Sequence, residues 1–249
     1  MAMVLLRRLT EGLGAWLHYE FCCDRSELFS EKYLAPPVGI LLSSAQIGRV
    51  FAEFTHPILA PLMTGRGRRP ALDFVISESW PTPKLAIESK WVSESNFDVS
   101  SIVWDLVRLS LLNLHYGTEC YFVLGGQKRM LNRLFLREEF AGPANRSDAT
   151  SILNYKSNHS SSLHLVPDQH YRVPLLRKVF EAWPPTLEAP QKIVTRRTAP
   201  FPKGQPSYQY QVFAWQITCP PNKEVFRPGN SKHYQFPTNS LNATASTAT

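Results

Sequence analysis

The sequence predicts a mixed α/β (α+β) fold, a mixed sheet flanked by helices, and three features carry that reading. Two short apolar runs, Ala71–Ile76 and Leu85–Val92, flank a loop containing Trp80-Pro81-Thr82-Pro83, the pattern of a hairpin. A helix and a further strand follow that hairpin: Asp98 or Ser100 caps a helix to about Tyr116, Gly117 stops it, and Cys120–Leu124 returns as a buried strand. Ahead of both, Val4 to about Phe21 forms an amphipathic helix, because Leu6, Leu9, Leu13, Trp16 and Leu17 share one face.

Size and composition limit the alternatives. At 249 residues and 43% hydrophobic content, the chain can bury one sizeable core with additions. It holds no apolar run of the roughly 18 residues that a membrane helix needs, so no membrane partner is expected. In Met1–Leu9 the arginines follow the leucines, which reverses the order of a secretory leader. Cys22, Cys23, Cys120 and Cys219 lack metal-ligand spacing and are expected as buried free thiols in a reducing, cytoplasmic compartment. His18, His56 and His115 show no zinc spacing either.

The remaining elements are read in order. Ser26–Leu34 is a short helical piece closed by Pro36 and Pro37. The first strand falls at Val38–Leu42 or at Phe54–Leu59, and Ser43 or Ser44 caps a helix through Gln46 to Phe54. Gln127–Phe140 is a basic helix with Met130, Leu131, Leu134 and Phe135 on its apolar side. Residues 1–140 are thus a core and 141–237 an extension expected to pack on it. Within the extension, Asn145–Ser162 reads as an exposed loop, Val173–Trp183 as a helix and Pro184–Gln205 as extended chain; Tyr208–Thr218 is an additional strand. The small polar residues of 238–249 form a disordered tail.

The formal charge of +7 favours a polyanionic partner. Arg66, Arg68 and Arg69 cluster just ahead of Asp73 and are candidate nucleic-acid contacts. Lys128, Arg129, Arg133 and Arg137 form a second cluster, and Lys192, Arg196, Arg197 and Lys203 a third.

The residues that carry chemistry lie on the hairpin. Glu88 and Lys90 alternate onto one face of Leu85–Val92, together with Ala86 and Val92. Asp73 interrupts the preceding apolar run, and hairpin pairing can bring it opposite Glu88. Paired carboxylates repel unless protonated or bridged by a cation, and oxygen-only ligands suit Mg²⁺ or Mn²⁺. Such an ion polarises a phosphate and activates a bound water, while Lys90 orients that water or stabilises developing charge. Glu20 lies on the apolar face of the first helix, and either points inward as a third carboxylate or reaches past the helix end to solvent. Asp105 and Arg108 pair locally, or Arg108 reaches the phosphate.

Asp73, the spacer and Glu88-Ser89-Lys90 resemble the bipartite motif of the PD-(D/E)XK nuclease superfamily, which has the restriction-endonuclease-like fold. The elements from Val4 to Leu124 are similar to its αβββαβ core. A bare Glu-x-Lys arises about once by chance in a chain this long, so the strand context carries the likeness. The residue before Asp73 is Leu72, where the family motif has proline. The resemblance implies Asp73 and Glu88 as metal ligands, Lys90 as the catalytic lysine, and Glu20 as the helix-borne acid. It implies a Mg²⁺-dependent endonuclease acting on DNA, in a restriction or defence setting, and a homodimer if both strands are cut. An RNA-directed nuclease and a catalytically silent nucleic-acid-binding or protein-interaction scaffold are the alternatives.

Overall fold

Leucines at helical spacing define the first element, α1 (Ala2–Cys22), which buries Leu5, Leu6, Leu9, Leu13 and Leu17. A 3-10 turn at Ser26–Leu28 leads to α2 (Glu31–Ser44), where the Ser30 hydroxyl accepts the Tyr33 N–H at 3.2 Å and caps the helix. The computed structural model describes residues 2–45, 48–62, 70–78, 82–93, 97–142, 151–155, 160–166, 170–181, 183–204, 206, 209–231 and 234. The tail at 238–249, expected to be disordered, lies outside these residues.

Helix α2 contains Pro36 and Pro37, although those prolines were expected to close a short piece. Each removes a backbone hydrogen bond, and burial of Leu34, Pro37, Val38 and Leu42 offsets the loss. Val38–Leu42 is therefore helix, and Ser43 and Ser44 lie in its last turn instead of capping the next. The first strand is β1 (Arg49–Thr55), inside the stretch read as a helix through Gln46 to Phe54. As an edge strand it buries none of its residues fully, so the apolar run of an interior strand is missing.

The next elements follow the sequence closely. Strands β2 (Ala71–Ser77) and β3 (Leu85–Val92) form the hairpin. Helix α3 (Val99–Tyr116) starts at Asp98, whose carboxylate accepts the Ser100 N–H at 3.0 Å, and stops at Gly117 in the left-handed region, φ 68°. Strand β4 (Glu119–Gln127) runs past the expected end at Leu124 and includes Gly125 and Gly126. A Cβ on Gly125 would meet the Trp91 ring at 3.0 Å, so glycine is what lets that ring lie against β4. The basic helix divides into α4 (Lys128–Phe135) and α5 (Glu138–Ala141).

The C-terminal part contributes more than the one strand expected. It supplies β5 (Ser161–His164), α6 (Val173–Phe180), β6 (Ala189–Pro190), β7 (Lys192–Arg197), β8 (Tyr210–Thr218) and β9 (Val225–Phe226). Among the described residues the main sheet has seven strands in the order β1-β2-β3-β4-β8-β7-β5, and β6 pairs with β9. Only β3 and β4 are parallel, with α3 as their crossover; the other neighbours are antiparallel. Ser151, Ile152, Leu153 and Asn154 are buried, against the exposed loop expected for Asn145–Ser162. Their polarity is satisfied internally, since the Asn154 carbonyl accepts from Arg197 Nε at 2.8 Å and Trp215 Nε1 at 3.0 Å.

Two cores sandwich the sheet. Helices α1 and α2 pack on Phe74, Ile76, Ile87, Tyr121 and Val123, whereas α3, α4 and α6 pack on Val75, Ala86, Phe122, Leu124 and Trp215. Cys120 is buried, but Cys22 and Cys23 are exposed at the end of α1, beyond its last packed turn. Among the described residues no helix is long and apolar enough to cross a membrane. Ser30→Ala should lower the unfolding free energy by about 1 kcal/mol through loss of the α2 cap, measurable by urea denaturation; an unchanged midpoint would contradict this capping role.

Candidate functional site

In the hairpin, Phe74 lies opposite Ile87, Val75 opposite Ala86 and Ile76 opposite Leu85, and the pairing stops one residue short of Asp73 and Glu88. Their side chains take different routes. Leu72 and Phe74 enter opposite cores although they are alternate residues of one strand, so the pleat reverses at Asp73. On the β1 side the facing residue, Glu53, has a left-handed φ of 49°. The Asp73 carboxylate turns along β3, where Oδ2 accepts the Ser89 N–H at 2.7 Å and the Ser89 hydroxyl at 2.8 Å. Both bonds end on Oδ2.

Glu88 points toward α3 and is only 2% exposed. Arg108 forms an ion pair with it and also donates to the Ala71 carbonyl at 2.7 Å, tying α3 to both hairpin strands. Lys90 stands between two acids, Asp105 of α3 at 3.2 Å and Glu31 of α2 at 3.3 Å. Asp105 is also 3.7 Å from Arg108. Of the two readings of Arg108, the structure shows the pairing with Asp105, and adds Glu88 to it.

Glu20 is buried, as one of its two readings had it, but its partners are its own neighbours. Arg25 lies 3.2 Å from its carboxylate, and the Tyr33 hydroxyl donates to it at 2.6 Å. The helix acid that reaches Lys90 is Glu31, in the first turn of α2. Helix α2 directly precedes β1, so α1 is an additional helix in front of the α2-β1-β2-β3-α3-β4 series. Arg66, Arg68, Arg69 and Trp80 lie outside the described residues.

Sequence reasoning missed Asp105 and Glu31 as members of this cluster. A signal for Asp105 was present: it interrupts the apolar face formed by Ile102, Leu109 and Leu112, as Glu20 does on α1. For Glu31 the signal was the capping serine that places an acid in the first turn of a helix.

Four carboxylates, Asp73, Glu88, Asp105 and Glu31, thus meet two cations, Lys90 and Arg108, an excess of two negative charges when all are ionised. Burial pushes the Asp105 carboxyl up to about 7; Lys90 opposes the shift, and Asp73 and Glu31 add to it. Burial also works against the Lys90 ammonium, but Asp105 and then Glu31 outweigh it and raise its pKa. Burial lowers the Arg108 guanidinium to about 10, which leaves it charged at neutral pH. Asp105 Oδ2 is buried and makes no hydrogen bond, only the ion-pair contact with Lys90.

The cluster holds carboxylate oxygens in excess of its cations, and one buried oxygen is without a hydrogen bond. The side chains are disposed as ion pairs, and among the described residues no three metal-ligating groups are gathered into a coordination shell. No protein-family model, curated protein or solved structure matches the chain. The site therefore stands on its own geometry.

The raised Asp105 pKa predicts a pH dependence of stability in metal-free protein. Between 3.8, its ordinary value, and about 7, the folded chain holds a proton that the unfolded chain has released. Stability should therefore fall as pH rises through this window and level off above it. Asp105→Asn should flatten that slope in urea denaturation at pH 5 and pH 7.5 with EDTA. A slope equal to that of the unaltered protein would remove Asp105 as its source.

Proposed function

We propose that the chain is a metal-dependent nuclease of the PD-(D/E)XK type, hydrolysing phosphodiester bonds as an endonuclease, with DNA as its substrate. The observation that carries this reading is the disposition of Asp73, Glu88 and Lys90 on adjacent strands, inside a cluster whose carboxylates outnumber its cations. The α2-β1-β2-β3-α3-β4 order supports a restriction-endonuclease-like core by likeness to the αβββαβ pattern.

In this reading Mg²⁺, or Mn²⁺, is held by Asp73 and Glu88. Bound there, it supplies Lewis-acid polarisation of the phosphate and an activated water. The chain's own residues set the geometry. Ser89 fixes the Asp73 carboxylate through Oδ2, so that a cation held there would take the other oxygen. Lys90 stays charged between Asp105 and Glu31, and stabilises negative charge on the phosphate. Glu31 takes over the helix-acid role that the resemblance gave to Glu20. Arg108 neutralises Glu88, so a cation at Glu88 competes with that ion pair. A restriction-like or defence role in the cytoplasm is the matching setting, and cutting both strands calls for a homodimer.

The Glu88–Arg108 pair also favours a second reading, a nucleic-acid-binding or protein-interaction scaffold that does not cut, because it satisfies Glu88 without a metal. Incubating plasmid DNA, oligonucleotides and RNA with Mg²⁺, Mn²⁺ or EDTA separates the readings. The nuclease reading expects DNA cleavage with either metal and none in EDTA, with Asp73→Ala and Lys90→Ala each slowing it by about 10²–10³-fold. Cleavage that persists in either variant sinks the site assignment, and cleavage of RNA alone replaces the substrate. Salt-sensitive binding with no cleavage supports the scaffold.

A further inference from the structure

A cavity of about 190 Å³ opens to solvent between the turn ahead of α2, the ends of β3 and β4, and the start of β8. Phe29, Trp91, Met130 and Tyr210 form its apolar walls, and Ser26 and Gln127 bring polar groups to it. Its position follows from chain connectivity. Trp91 is the residue after Lys90, and Phe29 is two residues before Glu31, whose carboxylate reaches Lys90 at 3.3 Å. The cavity and the charged cluster therefore share the turn that begins α2.

The walls are a fixed aromatic arrangement. Trp91 and Tyr210 are stacked, with centroids 5.7 Å apart and planes at 26°. Phe29 meets both edge-on, at 5.8 Å from Trp91 and 4.6 Å from Tyr210. Gly125 backs the Trp91 ring, which leaves the ring little room to move inward. Trp91 and Tyr210 are nevertheless only partly buried, so apolar ring surface stays available at the cavity. The volume lies below the roughly 300–1,000 Å³ of a drug-sized ligand pocket, and suits a single ring system. Helix α4 starts directly after Gln127 and carries exposed Arg129, which donates to Gln127 Oε1 at 3.2 Å, and exposed Arg133, which reaches the Met130 sulfur at 4.0 Å.

We propose that this cavity receives one unstacked nucleobase of the substrate strand, with the adjoining phosphate at Lys90 and the continuing backbone along α4. The proposal rests on the nuclease reading for its substrate. Stacking on aromatic side chains serves any base, because every base has a π face, and it requires a strand that is single or locally opened. Ser26 supplies a hydrogen-bonding hydroxyl for the base edge. The preferred substrate is accordingly single-stranded DNA, or duplex that is opened at the site of cutting.

The test uses the full chain in EDTA and reads binding alone, by fluorescence anisotropy. Two labelled oligonucleotides of equal length are compared, one oligo(dT) and one with the same backbone and every base removed. The unaltered protein should bind oligo(dT) about 10-fold more tightly, as one aromatic-stacked base warrants. Ser93→Trp, at an exposed position on the cavity rim, should fill the cavity. Tyr210→Ala should remove a wall. Each should bring oligo(dT) down to the base-free affinity and leave the base-free strand unchanged. Equal binding of the two strands by the unaltered protein overturns the proposal. So does binding of neither strand, or a preference that survives both variants. Cleavage plays no part in this assay, so loss of the nuclease reading and loss of the base cavity register in different experiments.

Discussion

A carboxylate at 2% exposure on the inner face of a sheet must be protonated, paired or bound to a cation, and Glu88 meets that constraint through Arg108. The rest of the cluster follows from where Arg108 has to stand. Its bond to the Ala71 carbonyl holds α3 against β2 as well as β3. One helical turn earlier, Asp105 is thereby brought to Lys90, and Lys90 in turn reaches Glu31 on the opposite side of the sheet. A single line of charges thus runs from α3 through β3 to α2. It joins the two helical layers at the point where β3 and β4 run parallel.

This arrangement was legible in the sequence only in part, and the boundary has physical causes. The hairpin, α3 with its Asp98 cap and Gly117 stop, and β8 are encoded by local periodicity and turn chemistry, and they appear near their expected limits. Strand β1 has an edge strand's weak pattern, and α2 hides behind two prolines whose loss of hydrogen bonds is offset by tertiary burial. Missing α2 hid Glu31, the acid that reaches Lys90. The buried Ser151–Asn154 stretch looks polar because its partners, Arg197 and Trp215, are distant in sequence. Likewise Glu88 and Lys90 were visible as two acid–base positions on a strand, whereas their partners on α3 depend on the crossover.

The charge balance connects the site to its proposed chemistry. With all groups ionised, the cluster holds more carboxylate than cationic charge, and the raised Asp105 pKa reflects burial with neighbouring acids that Lys90 only partly offsets. A divalent ion would relieve that excess, in competition with Arg108 for Glu88. The proposed base cavity is lined by Trp91 and Phe29, neighbours in sequence of Lys90 and Glu31. Chemistry and recognition would then share the turn at the start of α2, which Ser30 caps.

The central claim is that the acids around Asp73 form a divalent-cation site. Titration of the full chain with Mn²⁺, followed by electron paramagnetic resonance of the free ion, tests it without a substrate. The account predicts saturable binding that Asp73→Asn removes and Glu20→Gln leaves intact. Absence of saturable binding, or binding unchanged in Asp73→Asn, would contradict it.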